Sequence, residues 1–313
     1  MKAARRRVAG VATVPAALAN TWPPTGEHWR PTPLAVSTDF AHGGRWTSLH
    51  SPQREWLWRH PDPSVARARC LVQPGDDFVD AGGVEECFPT VRGTPDHGGA
   101  WSRSWQVAKA QGAGDEYVDV DTLRLARRVT AGANGDVRMT YAVTGPPGAC
   151  FIHAVHALLD VGPGARLVVP ATPQVQLLDT PRDGQTTVTS WPAIMAGRPL
   201  HHLGPDDGTA VAALLLDCRA AVVVDGRDAL VMGWRAQSPT DAGLCSLLLW
   251  RNLRGWPSRS PYRSIGIEPM IGCTATLTAP DSGPAGEPAR LNTAGRFGWQ
   301  LTLSSMRRAD VGP

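Results

Sequence analysis

Proline and glycine interrupt this chain so often that no stretch keeps a helical period for long. The sequence holds 28 prolines and 33 glycines among 313 residues, at intervals that suit strands and turns. Between them lie short β-type runs at residues 166–170, 174–178, 186–191 and 299–303. Residues 220–234 read as a hairpin with Asp225-Gly226 at its turn, a pair that tolerates the positive φ a tight turn needs. Only residues 106–111 and 122–128 offer a turn or two of helix. Many short strands, no internal repeat and no convincing linker predict an all-β fold, a large antiparallel β-sandwich. Residues 1–35, basic and then proline-rich, read as a flexible tail. Residues 36–313 read as a single β-sandwich domain.

Composition excludes several function classes. A hydrophobic share of 42% is enough for a sizeable core. A formal charge of +3 is small, and no basic run is interleaved with aromatics, so no nucleic-acid partner is expected. No apolar stretch is long enough to span a bilayer, so no membrane partner is expected. Lys2, Arg5, Arg6 and Arg7 precede a mildly apolar run, Val8 to Ala19, in the outline of a secretory signal. Gly10, Thr13 and Pro15 break that run. A cytoplasmic protein is the expectation, with export as the alternative. The six cysteines, Cys70, Cys87, Cys150, Cys218, Cys245 and Cys273, form no CxxC pair and no zinc-type spacing with histidine. They read as reduced, mostly buried thiols, with no metal and no cofactor expected. Tryptophan is abundant, 12 against 5 Phe and 3 Tyr. Most of the indoles should be core anchors, and a few could stack on the apolar face of a sugar ring.

Three segments carry chemistry. They are Pro95-Asp96-His97-Gly98-Gly99-Ala100-Trp101, Phe151-Ile152-His153-Ala154-Val155-His156, and Gly266-Ile267-Glu268-Pro269. Together they offer imidazoles and a carboxylate, the components of a general acid–base site. In a strand, His153 and His156 point to opposite faces, so only one can enter a given site. Pro269 biases Glu268 away from helix, and an apolar flank would raise its carboxylate pKa. The two glycines after His97 permit an unusual backbone and close approach of a ligand.

These segments, in this order, resemble the aldose 1-epimerase (galactose mutarotase-like) superfamily from about residue 40 to the C-terminus. Gly43-Gly44-Arg45-Trp46-Thr47-Ser48-Leu49 is similar to the family's opening strand pair. Gly82-Gly83-Val84-Glu85-Glu86-Cys87-Phe88-Pro89-Thr90 with the His97 segment resembles its first-histidine region. Residues 151–170 resemble the second-histidine strand, and 250–257 with 262–269 the segment that delivers the catalytic glutamate. The resemblance implies a large β-sandwich, an isomerase of sugars, and three catalytic residues. Glu268 would be the base, His156 the acid and His97 a group near the ring oxygen. Around these three, a supporting set is expected to bind substrate from its own positions and chemistry: Glu86 and Arg92, which flank the first histidine, with Asp96, for hydroxyls; Trp101, Trp105 and Trp250 for stacking; and Arg263. Arg103 and Arg263 would suit an acidic or phosphorylated sugar.

The sequence departs from that family in two places. The arginine-containing stretch before the first histidine is absent, with Arg92 nearby. His156-Ala157-Leu158-Leu159 stands where His-Ser-Tyr-Phe is usual. Three readings follow. The first is an aldose 1-epimerase-like enzyme acting on a small-molecule carbohydrate. The second is a non-catalytic sugar-binding protein on the same fold. The third is an acid–base isomerase, lyase or cyclase acting on a specialised metabolite. A monomer or homodimer is expected.

Overall fold

The computed structural model describes residues 15–16, 22–24, 27–108, 115–170, 174–178, 187–195, 197–277 and 286–309. Its strands form two large antiparallel sheets. One runs Arg166–Val168, Ala220–Asp225, Asp228–Ala236, Arg296–Arg308, Val137–Thr144, Leu123–Ala131, Glu116–Val120, Gln106–Val107. The other runs Thr187–Ser190, Gln174–Leu177, Ala210–Leu215, Cys245–Leu253, Arg263–Ile271, His153–Leu159, Val84–Cys87, Arg45–Ser51, Ala35–Asp39. The facing sides of both sheets merge into one hydrophobic cluster, so the architecture is the β-sandwich expected.

Alternation decides what each strand gives to this core. In Arg263–Ile271, Ile265 and Ile267 pack between the sheets, and Glu268 and Met270 point to the other side. In His153–Leu159, Val155, Ala157 and Leu159 pack inward and His156 points away. Each fully buried aliphatic side chain contributes about 1.5–3 kcal/mol. The outer side of the second sheet therefore rests on a firm base, and that side carries the polar residues discussed below.

Local readings fared unevenly. The hairpin forms, but its two-residue turn is Gly226-Arg227, with Gly226 at φ 61°. Asp225 instead ends its strand, and its carboxylate accepts from Arg54 and from the Gly162 backbone. Of residues 122–128, all after Thr122 are strand, because Leu123, Leu125 and Arg127 alternate into the core. A helix that the punctuation hid is Pro63–Arg69, capped by the Asp62 side chain with proline in its first turn. Trp29–Thr32, within the segment read as a tail, pairs with Arg296–Arg308, and Trp22 is buried 5.4 Å from Trp29. Residues 106–107 of the stretch read as a turn or two of helix are strand, paired with Glu116–Val120. Residues 109–111 of it, and the basic residues Lys2, Arg5, Arg6 and Arg7, lie outside the described residues. No helix among the described residues is long and apolar enough to cross a membrane.

Candidate functional site

Hydrogen-bond register across the second sheet lines up a row of side chains. Glu85 lies opposite His156, and Glu268 lies opposite Leu248. Ala154 pairs with Met270 and Leu158 with Gly266, which brings His156 and Glu268 side by side between those pairs. His156 Nδ1 and Glu268 Oε1 are 2.9 Å apart. Glu85 is neutralised separately: Arg69, at the end of the short helix, donates to both its oxygens at 2.8 Å. Glu268 is thus the nearest anion free to act on His156.

The pair lies on the floor of a cavity of about 590 Å³. Its walls include Phe78, Asp80, Arg92, His97, Trp250 and Trp256. Glu268 is fully buried and His156 nearly so. Neither Glu268 oxygen nor His156 Nδ1 makes an aligned hydrogen bond among the described residues, despite the short distance between them. Burial disfavours the imidazolium. The charge and contact of Glu268 outweigh it, with help from Asp80 and Glu85, and the His156 pKa is pushed up to about 9. With Nδ1 facing Glu268, Nε2 is the nitrogen left for a ligand. Asp80 Oδ1 is likewise buried and unsatisfied, while its Oδ2 accepts from the Tyr262 hydroxyl at 2.7 Å. Every unsatisfied buried carboxylate oxygen among the described residues therefore belongs to this cavity. Buried polar atoms are normally paired, so such a concentration marks a place built for something else to bind.

The His97 loop forms the opposite wall. His97 adopts φ 61°, its N–H bonds to the Val91 carbonyl, and its ring stacks on Phe78 at 3.6 Å between centroids. Asp96 contacts His97 Nδ1 at 3.0 Å. Partial burial opposes the Asp96 charge, but the His97 contact outweighs it and lowers the carboxyl pKa. Gly98 follows at φ 70°, where an added Cβ would come within 2.2 Å of the Phe88 carbonyl. Gly266 plays a different part. A Cβ there would meet Glu268 Oε1 at 2.4 Å and Trp250 Cβ at 3.0 Å, so glycine leaves the room the carboxylate occupies.

An aromatic ledge leads outward. Trp250 is held by its indole N–H to Ser264, 3.0 Å away. Trp256 packs edge-on to Trp250 at 6.1 Å and is 48% exposed. Asn252 fixes the intervening turn, accepting from the Gly255 and Trp256 N–H groups and donating to the Trp256 carbonyl.

Of the residues singled out in the sequence, the structure brings Glu268, His156, His97, Arg92, Asp96 and Trp250 to this cavity. It does not bring Glu86, Trp101, Trp105 or Arg263. Glu86 shares a face with Val84 and points between the sheets. There it is bonded to Arg127, to Tyr141 Oη at 3.1 Å and to His153 Nε2 at 2.9 Å. Burial would raise the Glu86 pKa, but Arg127 and His153 hold it below the ordinary value. Trp101 is buried behind Phe78, beneath the Arg69 guanidinium. Trp105 lies in the core with Arg127 over its ring and donates to the Ala100 carbonyl. Arg263 is committed to Asp206 and to the Leu203 and Val161 carbonyls. Arg103 donates to the Gly99 carbonyl and does not line the cavity. Sequence reading missed Asp77, Phe78, Asp80 and Trp256. The only local signal for the first three is the turn-rich run Pro74-Gly75-Asp76-Asp77 ahead of a lone aromatic, whereas Trp256 lies in the 250–257 segment singled out above.

No protein-family model matches this chain, and no curated protein matches it in sequence. Its fold is that of galactose mutarotase-like proteins. A protein of Synechocystis sp. PCC 6803 aligns with a TM-score of 0.61 at 14% identity, covering 88% of this chain and 93% of that one. The aldose epimerase homologue of C. elegans aligns at 0.60 and 11%, covering 88% and 96%. A galactose 1-epimerase from Lactobacillus acidophilus NCFM aligns at 0.55 and 12%, covering 89% and 92%. At such identities the likeness carries the fold, and any activity has to be argued from the site.

Proposed function

We propose that this protein interconverts the anomers of a sugar, with Glu268 as base and His156 as acid. The observation that carries this reading is the Glu268–His156 pair itself. It is a buried carboxylate with no aligned donor, beside a histidine held protonated, at the floor of a sugar-sized cavity.

The reaction suits two groups set side by side. The anomeric hydroxyl and the ring oxygen are borne by one carbon. Glu268 takes the proton of the anomeric hydroxyl as that C–O bond becomes a carbonyl. The bond from the anomeric carbon to the ring oxygen breaks, and the ring oxygen takes the proton from His156 Nε2. Rotation about the next C–C bond presents the other carbonyl face. Reclosure runs the same transfers backwards, returning both groups to their starting states. The neighbouring His97 ring, 5.2 Å from His156 between centroids, is in reach of a ring substituent. Asp80 Oδ1 offers an acceptor for a hydroxyl. Trp250 and Trp256 offer faces for stacking.

Charge narrows the substrate. Asp77, Asp80, Asp96 and Glu268 line the cavity against the Arg92 guanidinium and the protonated His156. A neutral sugar or an amino sugar fits that balance better than a sugar phosphate. The test is anomer exchange by NMR on glucose, galactose, mannose, glucosamine and glucose 6-phosphate. Exchange above the buffer rate on a neutral or amino sugar, lost in Glu268→Gln, supports the reading. A folded protein that accelerates none of them overturns it.

A further inference from the structure

The sequence contains no zinc-type spacing, yet the fold gathers a set of soft donors. The Cys87 sulfur and one ring nitrogen each of His97 and His156 lie within 4.8 Å of one another. Cys87 is two residues beyond Glu85 on the strand beside His156, so it shares the cavity-facing side. We infer that this trio is a binding site for a soft divalent cation, with Zn²⁺ as the natural occupant.

Three observations point the same way. The donor set is one thiol and two imidazoles, which suits zinc and leaves a fourth position open toward the cavity. Each histidine has a carboxylate at its Nδ1. Asp96 lies 3.0 Å from that atom of His97, and Glu268 lies 2.9 Å from that of His156. Both rings therefore keep Nε2 for a metal: His97 in the hydrogen-bonded carboxylate–histidine–metal arrangement that orients a ligand and raises its basicity, and His156 with the Glu268 charge beside Nδ1 but not aligned as an acceptor. Around Cys87, Ala154, Leu248, Met270 and Ala275 form an apolar shell that keeps bulk water off the sulfur.

Bond lengths of about 2.0–2.3 Å place tetrahedral donors roughly 3.5 Å apart. From separations of up to 4.8 Å, the trio must close by up to about 1.3 Å. His97, carried on a loop, is the member that moves. On binding, the metal replaces the thiol proton and the Nε2 proton of His156, and both go to solvent.

The metal site does not depend on the proposed function, but its consequence does. Zn²⁺ on His156 Nε2 removes the acid, so metal and sugar turnover exclude each other. Metal binding is read first, with no sugar present. Protein stripped with a chelator is titrated with Co²⁺, which reports a bound thiolate by a near-ultraviolet charge-transfer band, and then with Zn²⁺ by calorimetry. The expected result is one ion per chain, a thiolate band lost in Cys87→Ser, and an affinity reduced about tenfold or more in Asp96→Asn. His97→Ala, a loop substitution, weakens binding further without disturbing the strands. A folded Cys87→Ser protein that keeps the band, or a wild type that binds Co²⁺ without one, overturns the site. Anomer exchange is then measured with chelator and with added Zn²⁺. Exchange that is present with chelator and unaffected by bound Zn²⁺ overturns the exclusion alone. Exchange absent under both conditions overturns the proposed function and leaves the metal result standing.

Discussion

One strand carries two histidines, and each meets a glutamate at 2.9 Å, on opposite sides of the same sheet. Between the sheets, His153 Nδ1 accepts from the Trp299 indole N–H at 3.1 Å, so Nε2 carries the proton given to Glu86. Glu86 also receives Arg127 and Tyr141, and Arg127 reaches on to Glu116. Every partner there is satisfied. On the cavity side, His156 and Glu268 share the same separation but no such company, and both carboxylate oxygens lack a donor. Identical residue types at an identical distance thus serve different ends. The difference lies in whether the surroundings complete the hydrogen bonding or leave it open to a ligand.

The sharpest way to break this contrast is to neutralise each pair in turn. Glu268→Gln should lower anomer exchange by roughly 10²–10⁴-fold, the range of an acid–base group, while circular dichroism shows the native fold. Arg127→Met should instead cost about 3–5 kcal/mol in urea unfolding, because it strands Glu86 as a buried charge. Its exchange rate per folded molecule should hold. An Arg127→Met protein with full stability and no exchange would reverse the assignment of the two pairs.

Acid and alkali should separate the pairs as well. Unfolded histidine titrates near 6.5, and His156 in the fold titrates at about 9. Its contribution to stability is fully present below about 6.5 and is lost as pH rises through about 9. Exchange that needs its proton should fall over the upper part of that window. Glu86 has a lowered pKa. Its contribution is present above the unfolded carboxyl value and is lost as pH falls through the folded one. An NMR titration of the His156 ring should show its pKa falling in Glu268→Gln and unmoved in Arg127→Met. The smallest effect belongs to the ledge. Trp256→Ala should raise the sugar KM about fivefold, near 1 kcal/mol, with kcat little changed.

Much of this contrast was legible in the chain. Alternation alone separates His153 from His156, and the strand-and-turn spacing predicts the sandwich. The same alternation could have excluded Glu86 from the cavity, since it shares parity with Val84. Arg127 was harder. Residues 122–128 mix leucine and arginine, which suits a helix as well as a strand, and only pairing with residues 137–144 decides it. Asp80 and Phe78 could not be placed, because a loop residue's position depends on what it packs against. Phe78 is fixed by His97 and Trp101, both distant from it in local pattern. Arg263 misled for the opposite reason. A guanidinium near a candidate catalytic glutamate suggests substrate binding, until Asp206 is seen to hold it on another side.

Gly266 gives the catalytic reading a point of fragility that no ionisable residue reveals. Its φ is not in the left-handed region, so alanine is acceptable to the backbone, yet one methyl would come within 2.4 Å of Glu268 Oε1 and displace that carboxylate. A descendant of this chain could therefore fall silent by a single small substitution while keeping its glutamate, both histidines and its fold. Among relatives this distant, a search for living enzymes should ask first for the glycine two places before the glutamate.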